Sequence, residues 1–314
     1  MRAAVIAGGA VTCEERPAPV PQGGEVLVRV RAAGINGADL LQRAGHYPPP
    51  SGAPSDMPGL ELAGLVESLG PAATRFRPGD RVMGIVAGAG QAELVAVHER
   101  VAMPAPAGLS WAEAGGFAEV FTTAHDALFT QCGLGPGDRL LVNGAAGGVG
   151  VAAVQLAVAS GATVVASVRS PGRREALSSL GAHGAAPDEA FGLGPFDVVL
   201  ELVGGPNLPR DMEALRTGGR VAVIGVGAGA IGELDLRVLM ARRARISGST
   251  LRARPLEEKA LAARLVEHDV LPLLSARRVV VPVHATFPLE DVAAAYEAFS
   301  AGEKFGKIVL TIDS

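Results

Sequence analysis

Cysteine is nearly missing from this 314-residue chain. Cys13 and Cys132 are the only two, in dissimilar contexts. Two cysteines build neither a disulfide framework nor a four-cysteine metal site, which fits a reducing cytoplasm. Aromatic residues are equally scarce, at 4% with one Trp and two Tyr, so few rings are on offer to stack on a substrate. No charge sign dominates. The net charge of −4 gives no footing for nucleic acid. Long apolar runs are missing too. The most apolar stretch, Val151 to Val168, is broken by Gln155, Ser160, Gly161 and Thr163 and reads as helix, turn and strand, not as a membrane span. The opening MRAAVIAGGAV has one Arg ahead of an apolar run. Two glycines interrupt it and CEERPAPVP follows, so it reads as a first strand and not as a secretory leader. The histidines at 46, 98, 125, 183, 268 and 284 show no ligand spacing.

What is present is apolar and rhythmic. At 48% hydrophobic residues the chain can bury a large core, and its length suggests two domains. Residues 1–115 alternate short β-like runs with Gly and Pro, as in Glu25–Arg31, Leu62–Leu69 and Arg81–Val86, which suggests a small β-barrel-like domain. Residues 116–255 change to βα units, with strands expected at Arg139–Val142, Thr163–Val168, Asp197–Leu202, Arg220–Ile224 and Arg245–Ser249. That alternation predicts an α/β fold with a doubly wound parallel sheet. Residues 256–314 return to mixed structure: a helix near Leu256–His268, a strand Val279–Val283, a helix Leu289–Ser300 and a last strand Lys307–Ile312. The last strands are expected to fold back onto the first domain.

The chemistry concentrates in NGAAGGVG, residues 143–150. It follows an expected strand and opens an expected helix, the context in which a Gly-rich turn cradles a pyrophosphate. Strictly it is A-x-G-x-x-G, with Ala145, Ala146, Gly147, Gly148, Val149 and Gly150 as the candidate cofactor contacts. An NAD enzyme places an acid on the ribose about 20 residues later. Here the second strand runs into SVRSPGRR, with Arg169, Ser170, Arg173 and Arg174 and no acid. Guanidinium groups pair with phosphate, so the run predicts NADPH over NADH; a solvated basic helix start is the alternative.

Together with GINGADLLQRAGHYPPP (34–50), MPGLELAGLVESLG (57–70), GAGQAELVAV (88–97) and FGKIVL (305–310), that motif resembles the zinc-independent medium-chain reductases of the quinone oxidoreductase family, the zeta-crystallin-like group, over the whole chain. GQAE and GSTLRARP (248–255) point within it to the tumour-suppressor-induced subgroup. The resemblance implies a Rossmann domain plus a GroES-like β-barrel catalytic domain. It also implies a missing metal. Zinc-dependent relatives have Cys at Asn36 and His at Leu60, and neither Asn nor Leu binds zinc.

Without a Lewis acid, an electrophilic acceptor such as a quinone or an enone is the expected substrate, needing only hydrogen bonds to its developing oxyanion. The family pattern implies Asn36, Asp39 and Tyr47 around the nicotinamide end, with Asn36 or Tyr47 donating to the acceptor. Asp39 is open to a second reading, orienting Arg43 through an i, i+4 pair, and Tyr47 to packing on Pro48–Pro50. By position the resemblance adds Thr123, in a Thr122-Thr123-Ala124 helix start, with Gly204, Gly205 and Gly225 at strand ends and Lys307. One departure stands out. Pro187-Asp188 replaces the Asn-Tyr that many relatives have, which weakens the NADPH preference, while Arg169 compensates.

The expected activity is therefore NADPH-dependent quinone reduction. The alternatives are enoyl or alkenal reduction, and an NADPH-binding protein with little turnover, as in lens crystallins. No nucleic-acid or membrane partner is expected. A cytoplasmic homodimer, pairing through Arg245–Ser249, is the default.

Overall fold

The structure, a computed structural model, describes residues 1–313. In chain order the strands are β1 (Arg2–Ala7), β2 (Ala10–Glu15), β3 (Glu25–Ile35), β4 (Glu61–Leu69), β5 (Arg81–Ile85), β6 (Leu94–His98), β7 (Ala102–Pro104), β8 (Arg139–Asn143), β9 (Thr163–Ser167), β10 (His183–Ala185), β11 (Phe196–Glu201), β12 (Leu215–Val223), β13 (Arg245–Gly248), β14 (Val283–Pro288) and β15 (Lys307–Thr311). They divide between two compact units, Met1–Thr122 with Leu251–Ser314, and Thr123–Thr250.

The first unit is built on a seven-stranded sheet in the order β14-β15-β3-β4-β5-β7, with β6 also paired to β3. Every ladder is antiparallel except β14 with β15. The C-terminal strand β15 lies on β3, with Ile308 opposite Ile35, so the last segment completes the sheet begun near the N-terminus. Val26, Val28 and Val30 of β3 are fully buried on one face of the pleat. The opening residues form β1 and pair with β2 as a hairpin. Leu251–Pro255 belongs here because Arg252 is held inside this unit by the carbonyls of Ala87 and Tyr47.

The strand expected at Val279–Val283 begins instead at Val283 and runs to Pro288. Val279 and Val281 are buried without joining a ladder, and Pro282, which has no N–H to give, accepts the N–H of Lys307. The helix expected from Leu289 starts with a 3-10 turn, Leu289–Asp291, and becomes α-helical over Val292–Ser300.

The second unit is a six-stranded sheet, β10-β9-β8-β11-β12-β13, parallel throughout. Its central strands are near-continuous apolar runs, as a sheet covered on both faces requires. Leu140, Leu141 and Val142 of β8 and Val198, Val199 and Leu200 of β11 are all fully buried. β8 and β11 are neighbours in space but not in sequence. The strand order therefore reverses between them, and the crevice beyond their carboxyl ends is where open α/β sheets bind ligands.

Candidate functional site

In the first unit, Asn36 follows β3 directly and caps the helix Gly37–Arg43. Lys307 opens β15 and Glu61 opens β4, so the ladders bring three polar side chains to one place. The Lys307 ammonium donates to Glu61 Oε1 at 2.6 Å, Asn36 Oδ1 at 2.7 Å and the Ile35 carbonyl at 2.9 Å. Asn36 Nδ2 donates to Glu61 Oε1 at 2.9 Å, and Glu61 Oε2 accepts the Glu119 N–H at 2.9 Å. Glu61 and Lys307 are 0% and 3% exposed, so this ion pair is taken out of water and must be fully hydrogen-bonded to be tolerated. All three ammonium hydrogens are used. Lys307 is thus neither solvated nor free to reach a cofactor; it fixes the amide of Asn36, which keeps one N–H unspent.

Asp39 does not pair with Arg43, which stacks over Tyr296 at 5.6 Å and donates to Ser300. The Asp39 carboxylate instead accepts the N–H of Asn36 at 2.8 Å and of Gly59 at 3.0 Å, with Gln91 Nε2 at 3.4 Å. It is fully buried, and burial raises its pKa to about 6 against the pull of those donors. Tyr47 is half-buried, under the guanidinium of Arg252 at 5.3 Å. Its hydroxyl has no partner among the described residues. Burial and the nearby Glu119 push its pKa up, so it stays an O–H donor at neutral pH. Burial and the charge of Glu61 lift the Glu119 carboxyl to about 8.

Thr122-Thr123-Ala124 does not start a helix. It lies in the last turn of the helix Ala118–His125, where the Thr122 hydroxyl is buried and unpartnered. Leu60 is 2% exposed and part of the core. Among the described residues, no group of three or more His, Cys, Asp and Glu side chains could hold a metal.

In the second unit, Gly144 to Gly147 form the turn after β8, and Gly147 caps the helix Gly148–Ala159 without any capping side chain. Its first N–H groups therefore lack intrahelical partners. Gly150 is required by close approach, since a Cβ there would sit 2.6 Å from Ala145 Cα. Gly204 follows β11 with φ +131°, and a Cβ would meet the Gly229 carbonyl at 2.5 Å. Gly225 follows β12, against Leu202.

β9, beside β8, ends at Ser167, two residues before the exposed Arg169, and Ser170 caps the helix Pro171–Ser179 without a side-chain cap bond. Arg169 and Arg173 have no acidic partner among the described residues. Asp188, the residue that weakened the phosphate reading, is itself paired to Arg210 at 3.0 Å.

Glu61, Glu119 and Arg252 were missed from sequence as site residues. An acid inside the otherwise apolar MPGLELAGL was the available signal for Glu61. Nothing in sequence placed Arg252 on Gln42 Oε1 at 2.7 Å, 210 residues away.

Comparisons with known proteins agree with this architecture. Residues 22–133 match the family described as Alcohol dehydrogenase GroES-like domain, and residues 148–267 that described as Zinc-binding dehydrogenase. The chain is 32% identical over 313 residues to the Quinone oxidoreductase of Mus musculus, covering 94% of this chain and 91% of that protein. It is 34% identical over 312 residues to the Spectinabilin polyketide synthase system protein NorB of Streptomyces orinoci, covering 96% of this chain but 14% of that one. A cobalt- and zinc-bound thermostable alcohol dehydrogenase from Pyrobaculum aerophilum superposes with a TM-score of 0.84 at 31% identity, over 99% of each chain.

Proposed function

We propose that this chain, which belongs to the medium-chain dehydrogenase/reductase family of oxidoreductases, reduces a quinone with NADPH and without a metal ion. The observation that carries the reading is the uncapped Gly-rich helix start beside two unpartnered arginines, Arg169 and Arg173, at the carboxyl ends of adjacent strands. Ala145 to Gly150 would hold the pyrophosphate, the turns at Gly204 and Gly225 would accept the rest of the dinucleotide, and Arg169, Ser170 and Arg173 would hold a 2′-phosphate. Asp188, the acid that replaces the Tyr of many relatives, is engaged by Arg210. Such a cofactor supplies hydride to an electrophilic carbon.

The residues of the first unit do the remainder. Lys307 and Glu61 orient Asn36, and Asp39 fixes its backbone, so its spare amide N–H is held as a preorganised donor. Tyr47 offers the second donor, and its raised pKa keeps the proton in place until oxyanion charge develops. The metal-free reading rests on Asn36 and Leu60, which have no zinc-binding chemistry. A homodimer is supported by β13, an edge strand with Ile246 36% exposed, and by Met240 on the preceding helix, 74% exposed. A cytoplasmic location is supported by the two cysteines remaining free thiols. Among the described residues, no helix is long and apolar enough to cross a membrane.

A second reading is reduction of a conjugated C=C bond, which would use the same hydride and the same fold. The experiment compares NADPH and NADH oxidation with a para-quinone, an ortho-quinone and an enone. Quinone-dependent oxidation is expected with NADPH ahead of NADH. Turnover with the enone alone would replace the first reading by the second.

A further inference from the structure

Beneath the crevice of the second unit lies a buried pair of acids. Glu201 ends β11 and Asp211 sits on the helix Leu208–Ala214; they are 1% and 0% exposed. Asn143, at the end of β8, donates its single amide nitrogen to both, at 2.7 Å to Glu201 Oε2 and 2.8 Å to Asp211 Oδ1. Glu201 is otherwise richly supplied. Its Oε1 accepts the N–H of Val203 at 2.5 Å and of Gly204 at 2.6 Å, and its Oε2 also accepts Asn207 Nδ2 at 3.1 Å. Asp211 has no other donor, and its Oδ2 is buried without a partner. A buried carboxylate oxygen with no donor is costly, whereas a protonated Asp211 can donate to the Glu201 carboxylate with which it is paired. The geometry therefore gives the pair one proton, on Asp211. Desolvation and Glu201 lift the Asp211 pKa to about 8.

The charged groups that bear on Asp211 are Glu201 and Arg210 of its own helix, whose guanidinium is bound to Asp188. Of the elements packed on that helix, the helix Leu236–Arg242 brings Arg242, which donates to the Glu213 carbonyl of the Asp211 helix itself, and Arg237, which pairs with Asp235, while β12 brings Arg216 and Arg220, which pair with Asp197 and Asp138.

Glu201 is also the clamp of the crevice. Its side chain holds the turn at Val203 and Gly204, and its carbonyl accepts the N–H of Ile224 at 2.9 Å and Gly225 at 3.1 Å. Those turns are the ones the proposed cofactor uses. We propose that Asp211 is a positioning residue for the dinucleotide: as a neutral acid it lets Glu201 keep both turns clamped, and losing its proton loosens them and weakens cofactor binding. This rests on the nicotinamide-cofactor reading above. The clamp sits behind turns shared by both cofactors, so its loss must weaken NADPH and NADH alike.

The test is the dissociation constant of each cofactor from pH 6.5 to 9.5, by nicotinamide fluorescence, for the wild type and Asp211→Asn. Asn keeps the neutral shape at every pH. The wild type should lose about tenfold in affinity for both cofactors across pH 8, while Asp211→Asn stays flat and matches the wild type at pH 6.5. A decline that survives in Asp211→Asn, or that affects NADPH alone, overturns the inference. Binding of neither cofactor at any pH overturns the cofactor reading and the inference with it. If Asp211→Asn fails to fold, hydrogen exchange in the wild type decides. After correction for intrinsic rates, the amides of Val203 and Gly204 should lose protection between pH 7 and 9, and unchanged protection refutes the proposal.

Discussion

The polar side chains of the first unit are spent on one another, whereas those at the cofactor end of the second are left open. Lys307, Glu61, Asn36 and Asp39 exhaust nearly every donor and acceptor among themselves, in a setting almost closed to water. Among the described residues, Arg169, Arg173 and the N–H groups that open the helix Gly148–Ala159 have no such partners. A buried network satisfied in all but the spare Asn36 N–H fixes the geometry of that one donor, as a preorganised reaction site demands. An unsatisfied cationic edge awaits an anion. The first arrangement should therefore fail through stability, and the second through affinity.

The sharpest way to break that contrast is Lys307→Met. It leaves Glu61 buried without its cation, and loss of one partner of such a pair costs about 3–5 kcal/mol. Denaturant unfolding should show that loss, and a change below about 1 kcal/mol would mean the pair is not the keystone. Arg173→Glu should instead leave unfolding nearly untouched. It should weaken NADPH by roughly 10–100-fold, the scale of a charge-assisted hydrogen bond lost, and NADH by far less. Equal losses for both cofactors in a titration would remove the phosphate assignment.

Tyr47→Phe should lower turnover by about tenfold, the effect of losing one hydrogen bond in the transition state, with cofactor affinity unchanged. Unchanged turnover would make Tyr47 a packing residue on Arg252. The smallest effect belongs to Glu119. Its carboxyl, near 8 in the folded chain against an ordinary 4.5, holds a proton that the unfolded chain releases. The stability it contributes is complete below about pH 4.5 and is lost as pH rises towards 8. Glu119→Gln should flatten its share of that slope in melts from pH 5 to 9, and an unaltered slope would count against the shift.

These predictions draw unequally on what sequence makes legible. The parallel sheet was readable because β8, β9 and β11 are apolar runs with helices between them, and local pattern suffices for that. The Gly-rich turn and the arginines after β9 were readable because a dinucleotide motif is contiguous. The meaning of Lys307 was not. Its partners Asn36 and Glu61 are 271 and 246 residues away, and only the β15–β3–β4 register brings them together. The alternative that paired Asp39 with Arg43 came from helical spacing, which is visible in sequence, whereas a contact with Gly59 N–H is not. The Val279–Val283 segment was misread as a strand because its alternating valines are buried without a ladder, ahead of Pro282.

The most direct test of the account is quinone-dependent NADPH oxidation by protein stripped with a chelator and assayed for bound metal. The account predicts full turnover with no stoichiometric zinc, and a rate with NADPH above that with NADH. Stoichiometric zinc whose removal abolishes the rate would contradict it.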